Sequence, residues 1–374
     1  HLFLAFSLIL ILGSIRALNP QIMIDEFFRL YSPLLMFFLA TSLMNRRGDA
    51  ERILLLFAIS GIVPLLCSAY HLADCQMNEI YLNGSNRLLG GYQNLRNHAL
   101  MMLIFSCCGV YFFFRLERKR YKLFTALYTF LSLYFLYLTF TRATLIVFGI
   151  FLVTYLYMSG RRLLTATCLI GVTCIIFLSP SLQSRFYDFV RLFSLITATN
   201  QDLKALSSLG SGRYGLWSSS LFAYLQSPFY DIVLGLGLGH HWVLTRGAYS
   251  GFILIKGGFV DTHNDMLRIL YQLGPIALGL FLGIAYQCIQ AGRWLIQNAK
   301  NFWHRELGAL VISLTLCILM NNALSNGINS RTTFGWSFWI IAATGFIMKR
   351  ELLNRQLRSA TRNMESSEDM AQSS

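Results

Sequence analysis

From Leu123 to Tyr157 the chain reads LFTALYTFLSLYFLYLTFTRATLIVFGIFLVTYLY, thirty-five residues with a single charge, Arg142. A helix needs about 20 mostly apolar residues to cross a bilayer, so this stretch is long enough to cross and return. It divides into Leu123–Phe140 and Ala143–Tyr157, with Arg142 at the turn between them. In lipid the backbone polar groups must be satisfied internally, so both halves are helices. The rest of the chain follows suit: 55% of its residues are hydrophobic and only 13% charged, and mean hydropathy is +0.53. A soluble domain carries about 25% charged residues.

Further apolar runs complete a set of ten expected crossings: Leu2–Gly13, Leu30–Met44, Ile53–Tyr70, Ala99–Phe114, the two above, Leu163–Leu178, Leu267–Cys288, Leu307–Leu324 and Phe334–Met348. Ten crossings put both termini on one side. One set of loops carries Arg46, Arg47 and Arg52, then RLERKRYK at 115–122, Arg161 and Arg162, Arg293, Lys300 and Arg305, and the tail from Lys349. This basic excess marks that side as cytoplasmic. Seven cysteines lie inside the expected spans and Cys75 outside them, which fits small apolar packing rather than a disulfide framework. The chain opens with His1 inside an apolar run, as a chain lacking its natural start would.

The expected organisation is an N-terminal transmembrane bundle, 1–178, a large external segment, 179–266, C-terminal transmembrane helices, 267–348, and a polar, Ser-rich, disordered cytoplasmic tail, 349–374. Loops beyond about 12–15 residues without structure are uncommon, so short helices are expected in the external segment. LWSSSLFAYL at 216–225 has helical apolar spacing at 216, 217, 221, 222 and 225. That face suits either the bundle or the membrane surface.

On the outer side several arginines stand where arginine is costly. Arg142 either snorkels from a helix end or binds an anion in a protein-lined pocket. Arg213, in GSGRYGLW, is flanked by glycines that let backbone approach a ligand, and Arg87, in NRLLGGYQN, repeats the arrangement. Guanidinium forks suit phosphate oxygens, and a diphosphate would engage two of them. Nucleic acid is a poor partner, because the positive charge lies in topology-determining loops rather than in a groove-sized stripe. There is no P-loop, and GLGLG at 235–239 lacks the strand–helix context of a nucleotide site, so no cofactor is implied.

DTHND, 261–265, precedes the eighth span. His263 is expected on the first helical turn, with Leu267 and Leu270 on its side and Asp265 and Arg268 on other faces. A helix N-terminus favours neutral imidazole, which suits a base; Asp261 is a candidate to orient the ring. A purely structural reading also holds here, with Asn264 as the helix N-cap. A metal site is disfavoured, since no spaced third ligand completes the cluster. There is neither a placed carboxylate pair for a glycosidase nor a GxSxG elbow.

With these residues in view, the chain resembles the bacterial O-antigen ligase and O-antigen polymerase superfamily, membrane glycosyltransferases of the GT-C class. The resemblance is carried by RLLGGYQNLRNHA at 87–99, TFTRATL at 139–145, GRYGLW at 212–217, GLGLG at 235–239 and HNDMLRILYQLGPIALG at 263–279, in that order. It implies a GT-C-like all-α fold at the inner membrane. It also implies transfer of a glycan from undecaprenyl diphosphate to an acceptor on the outer face, with inversion and without metal or nucleotide sugar. By the same resemblance Arg142 and Arg213 hold the diphosphate, His263 activates the acceptor, and Arg87 matches another recurrent basic position. The acceptor is lipid A–core for a ligase, the leading reading, or a second lipid-linked repeat for a polymerase. Arg246 and Gly257 have the spacing of one polymerase motif. The family usually has about twelve spans, and a serine often precedes the arginine where Thr141 stands. A transporter or flippase for the same lipid-linked anion is the alternative from another class; it would form no glycosidic bond.

Overall fold

A computed structural model describes residues 1–17, 20–44, 48–73, 78–79, 86–88, 90, 94–139, 141–178, 213–240, 263–299, 301–325 and 332–372. Nearly all of them are helical. In chain order the helices are α1 Leu2–Ile15, α2 Pro20–Leu43, α3 Asp49–Ser60, α4 Ile62–Ala73, α5 Leu95–Arg115, α6 Lys119–Leu138, α7 Arg142–Met158 and α8 Arg162–Leu178. After the external segment come α9 Arg213–Leu225, α10 Phe229–Leu234, α11 Asp265–Gln297, α12 Phe302–Leu324 and α13 Thr332–Gln372. One short antiparallel pairing, β1 Asn78–Glu79 with β2 Asn86–Arg87, sits between α4 and α5.

Among the described residues the expected spans fall on helices, the one at 53–70 on two of them. By length and composition Asp49–Ala73, Leu95–Arg115, Lys119–Leu138, Asp265–Gln297 and Phe302–Leu324 can cross a membrane, and Leu2–Ile15, Ala143–Met158 and Arg162–Gly171 are shorter apolar helices. The protein is a multi-pass membrane protein of all-α class.

Three helices differ from the sequence reading for physical reasons. The span expected at 53–70 is interrupted at Gly61, because Pro64 lacks an amide proton and crowds the carbonyl of Ser60 one turn back. α2 begins ten residues before the expected Leu30 and takes Asp25, Glu26 and Arg29 into its first turns. The tail read as disordered is instead helical through Gln372, continuous with the last span. Composition argues against a self-supporting core there, but a helix already nucleated in a bundle propagates at one hydrogen bond per residue.

The chain forms two compact units. One comprises residues 35–141, 287–315 and 336–374. Its centre is α5, buried continuously from His98 to Tyr111, an all-round apolar helix of bundle-interior type. Small residues bring helices close around it: Gly109 lies against Thr129 of α6, and Gly292 meets Gly308 where α11 and α12 cross. The basic end of this unit is fastened by adjacent opposite charges on α13. Arg350 donates to the carbonyl of Thr41 at 2.8 Å and to that of Met44, at the negative end of α2, while Glu351 accepts from the Gly48 amide before α3.

The other unit comprises residues 1–34, 142–286 and 316–335. It contains α1, α7 to α10, the first two-thirds of α11 and the adjoining ends of α2, α12 and α13. Cys317 of α12 donates to the carbonyl of Val147 in α7. In α9 the buried stripe is Leu216, Ser220 and Tyr224, whereas Phe222 and Leu225 are 64% and 57% exposed. The helix was legible in 216–225. However, the side it buries is the one carrying Ser220 and Tyr224, and its most apolar residues face outward as a membrane-surface helix would present them.

Candidate functional site

The stretch 263–274 supplies the best-defined candidate site. Asn264 starts α11 by accepting from the amides of Met266 at 3.0 Å and Leu267 at 3.1 Å, which satisfies two of the amide donors a helix start leaves open. The same side chain donates through Nδ2 to the carbonyl of Ala323 at 2.8 Å, near the end of α12. One asparagine thus starts the helix and ties it to its neighbour.

His263 lies just outside the helix, not on its first turn as the spacing led us to expect. It precedes the N-cap with φ of 49°, the sole non-glycine with positive φ among the described residues. Histidine tolerates this left-handed region better than most residues, yet such outliers persist where surrounding structure imposes them, often at active sites.

One turn into the helix, Arg268 is fully buried and forms a two-point ion pair with Glu26 of α2, likewise buried. Arg268 Nε donates to Glu26 Oε2 at 3.0 Å, and its terminal nitrogen donates to Oε1. One turn further, Gln272 donates to Oε2 at 2.9 Å. From the other side Arg29, 41% exposed, reaches Oε1 at 3.3 Å. Asn264, Arg268 and Gln272 stand at i, i+4 and i+8 and so share one face. The sequence spacing set Arg268 only on a face away from His263. The structure makes it an interior group.

α11 then breaks. Gly274 adopts φ 78° and ψ 176°, and Pro275 follows. Proline has no amide proton to return to the carbonyl of Tyr271, and the break likewise strips Gln272 of its helical donor. Both carbonyls are recovered by the GLGLG loop: the Leu236 amide donates to Tyr271 at 2.8 Å and the Gly237 amide to Gln272 at 3.0 Å. Leu238 donates to the Gly13 carbonyl of α1 at 3.1 Å. Gly237, at φ 100°, passes so close to the backbone of Arg16 that any Cβ would collide with it. Arg16 clamps the loop by donating to the Gly235 carbonyl at 2.6 Å and pairing with Asp231 of α10.

Around this joint Tyr271 exchanges a 3.0 Å hydrogen bond with Ser220 of α9, and Tyr224 donates to the Ile232 carbonyl at 2.6 Å. Burial and the nearby Asp231 push the Tyr224 hydroxyl up to about 12, so it remains a donor at neutral pH.

The other expected site residues are placed only in part. Arg142 is the first residue of α7 and Arg213 the first of α9, while Arg87 lies in β2 opposite Asn78. The side chains of all three lie outside the described residues, and so does Asp261 altogether. Arginine at a helix start adds its charge to the positive end of the dipole, an arrangement that disfavours an isolated helix and favours a bound anion. The sequence reading missed Glu26, Gln272 and Arg16. Glu26 had a signal: a carboxylate within the first turns of an apolar helix needs a buried partner.

The O-antigen ligase family model matches residues 127–282. That interval takes in Arg142, Arg213, the GLGLG loop, His263, the Arg268 ion pair's α11 partner and the break at Gly274. No curated protein matches the chain. Over those residues, less than half of the chain, the protein is similar to the O-antigen ligase family, and its all-helical multi-pass fold agrees with that likeness.

Proposed function

We propose that this protein transfers a glycan from undecaprenyl diphosphate to a sugar acceptor at the outer face of the inner membrane. Lipid A–core is the leading acceptor, which makes the protein an O-antigen ligase. The observation that carries the proposal is His263, held in a left-handed conformation directly before the N-cap of a helix that is tied to α12, α2 and the GLGLG loop.

In this reading His263 accepts the proton of the acceptor hydroxyl as its oxygen attacks the anomeric carbon. The new glycosidic C–O bond forms as the bond to the diphosphate breaks, with inversion, and the electron pair leaves on the diphosphate oxygen. Arg142 and Arg213 hold the diphosphate and stabilise the charge that grows on it, and Asp261 and Asn264 support the histidine. The positive ends of α7 and α9 add to that field.

The test is reconstitution with a lipid-linked glycan donor and, separately, lipid A–core or a second lipid-linked repeat as acceptor. A new bond to lipid A–core supports the ligase, and chain lengthening on the repeat identifies a polymerase. Movement of donor across the bilayer without any new glycosidic bond would overturn both in favour of a transporter.

A further inference from the structure

We infer that Glu26 and Arg268 form a positioning pair that fixes the angular setting of α11 beneath His263, an inference that rests on the glycosyl-transfer reading above. Both side chains are at most 1% exposed, and two hydrogen bonds join them with Gln272 adding a third. A buried ion pair is weak evidence for stability, since well-packed apolar residues of similar volume often serve as well or better. What a forked guanidinium–carboxylate pair supplies is geometry: two parallel bonds admit one orientation.

The geometry lies where the proposed chemistry needs it. Arg268 is four residues from Asn264 and five from His263, so turning α11 about its axis would carry His263 with it. On a helix of ~2.3 Å radius, a rotation of about 20° moves a Cα by about 0.8 Å, and the imidazole further. A misplacement of about 1 Å is enough to cost on the order of 100-fold in a positioned reaction. Asn264 alone does not fix this rotation, because its bond to Ala323 is a single tether at the helix tip. The Gly274 break uncouples residues 264–273 from the remainder of α11, so their orientation has to be set locally. Ser220 and the GLGLG amides hold the far end of that block at Tyr271 and Gln272, and Glu26 of α2 holds its middle at Arg268.

The experiment uses the full chain in proteoliposomes with lipid-linked glycan and the acceptor that the wild type uses. Glu26→Gln/Arg268→Met removes both charges of the pair together, so neither member is left buried opposite a missing counter-ion. Donor-binding stoichiometry counts competent sites, so turnover is expressed per site. The expected result is an unfolding midpoint and donor KM close to wild type with kcat per site reduced at least tenfold. Wild-type kcat per site in this variant would overturn the inference. Should the double variant fail to fold, Gln272→Met keeps both charges and removes one bond to the carboxylate. A roughly threefold loss of kcat per site is expected, and no loss overturns the pair's role. His263→Ala separates the levels: if it abolishes turnover while the double variant is fully active, only the positioning role falls. A wild-type protein that forms no glycosidic bond with either acceptor removes both.

Discussion

At the scale of single residues, two adjacent side chains in HND divide their work. Asn264 is architectural: replacing it with Ala should cost about 1 kcal/mol in lost capping, with the bond to Ala323 lost as well. A thermal-unfolding midpoint lower by a few degrees, with measurable turnover retained, is the expected signature. On the proposed mechanism His263 is the base, so His263→Ala should lower transfer by roughly 10²–10⁴-fold with folded yield unchanged, the range expected for a general base. Unchanged turnover of purified His263→Ala on defined donor and acceptor would remove it from the mechanism. Arg213→Lys keeps the charge and loses the fork, so a fall of at least tenfold in donor affinity or rate is expected, measured by donor titration. Of this residue-level picture, the Asn264 cap was legible locally, because capping acts over three or four residues, whereas the spacing put His263 on the first turn and did not foresee its left-handed setting before the cap. The Glu26–Arg268 pair was not legible: its partners are 242 positions apart, and no local pattern names which buried charge meets which.

At the scale of elements, the lesson lies in α11. Gly274 and Pro275 advertise a break, yet the apolar residues on either side read as one uninterrupted span. Hydropathy reports burial and is blind to how backbone groups are satisfied. GLGLG, which looked like a weak nucleotide motif, is the matching half, since its amides replace the donors the break removes. Gly274→Ala should therefore be doubly costly: about 1–2 kcal/mol for a Cβ in the left-handed region, plus collision with the Val233 carbonyl. Reduced yield or a lowered unfolding midpoint checks it, and a fully stable, active Gly274→Ala would show that the joint tolerates another backbone path. α9 teaches the converse: its helix was readable, but a buried face built on Ser220 and Tyr224 contradicts any rule that the most apolar side turns inward.

At the scale of the whole molecule, fold class was legible because the bilayer restricts crossing segments to helices of known length. The orientation we propose from loop charge makes a direct prediction. In intact cells and a Cys75→Ser background, a membrane-impermeant maleimide should label His263→Cys from outside and leave Asn354→Cys unlabelled until the membrane is opened. The reverse pattern would put the histidine on the wrong side for a lipid-linked glycan assembled outside. The long helical continuation of α13 escaped composition, because its order depends on the bundle that launches it and on the opposed grips of Arg350 and Glu351.

The joint between GLGLG and α11 has one more consequence. Gly237 is bonded to Gln272, while His263 begins the same short helical block from its other tip, so the 22 residues 241–262 start and finish on a common pedestal only about 12–14 Å long. By the loop-closure argument, doubling the chain length between these two moorings costs only about 0.6 kcal/mol, so the bonds that hold Gly237 and Asn264 tolerate changes in the length of chain between them.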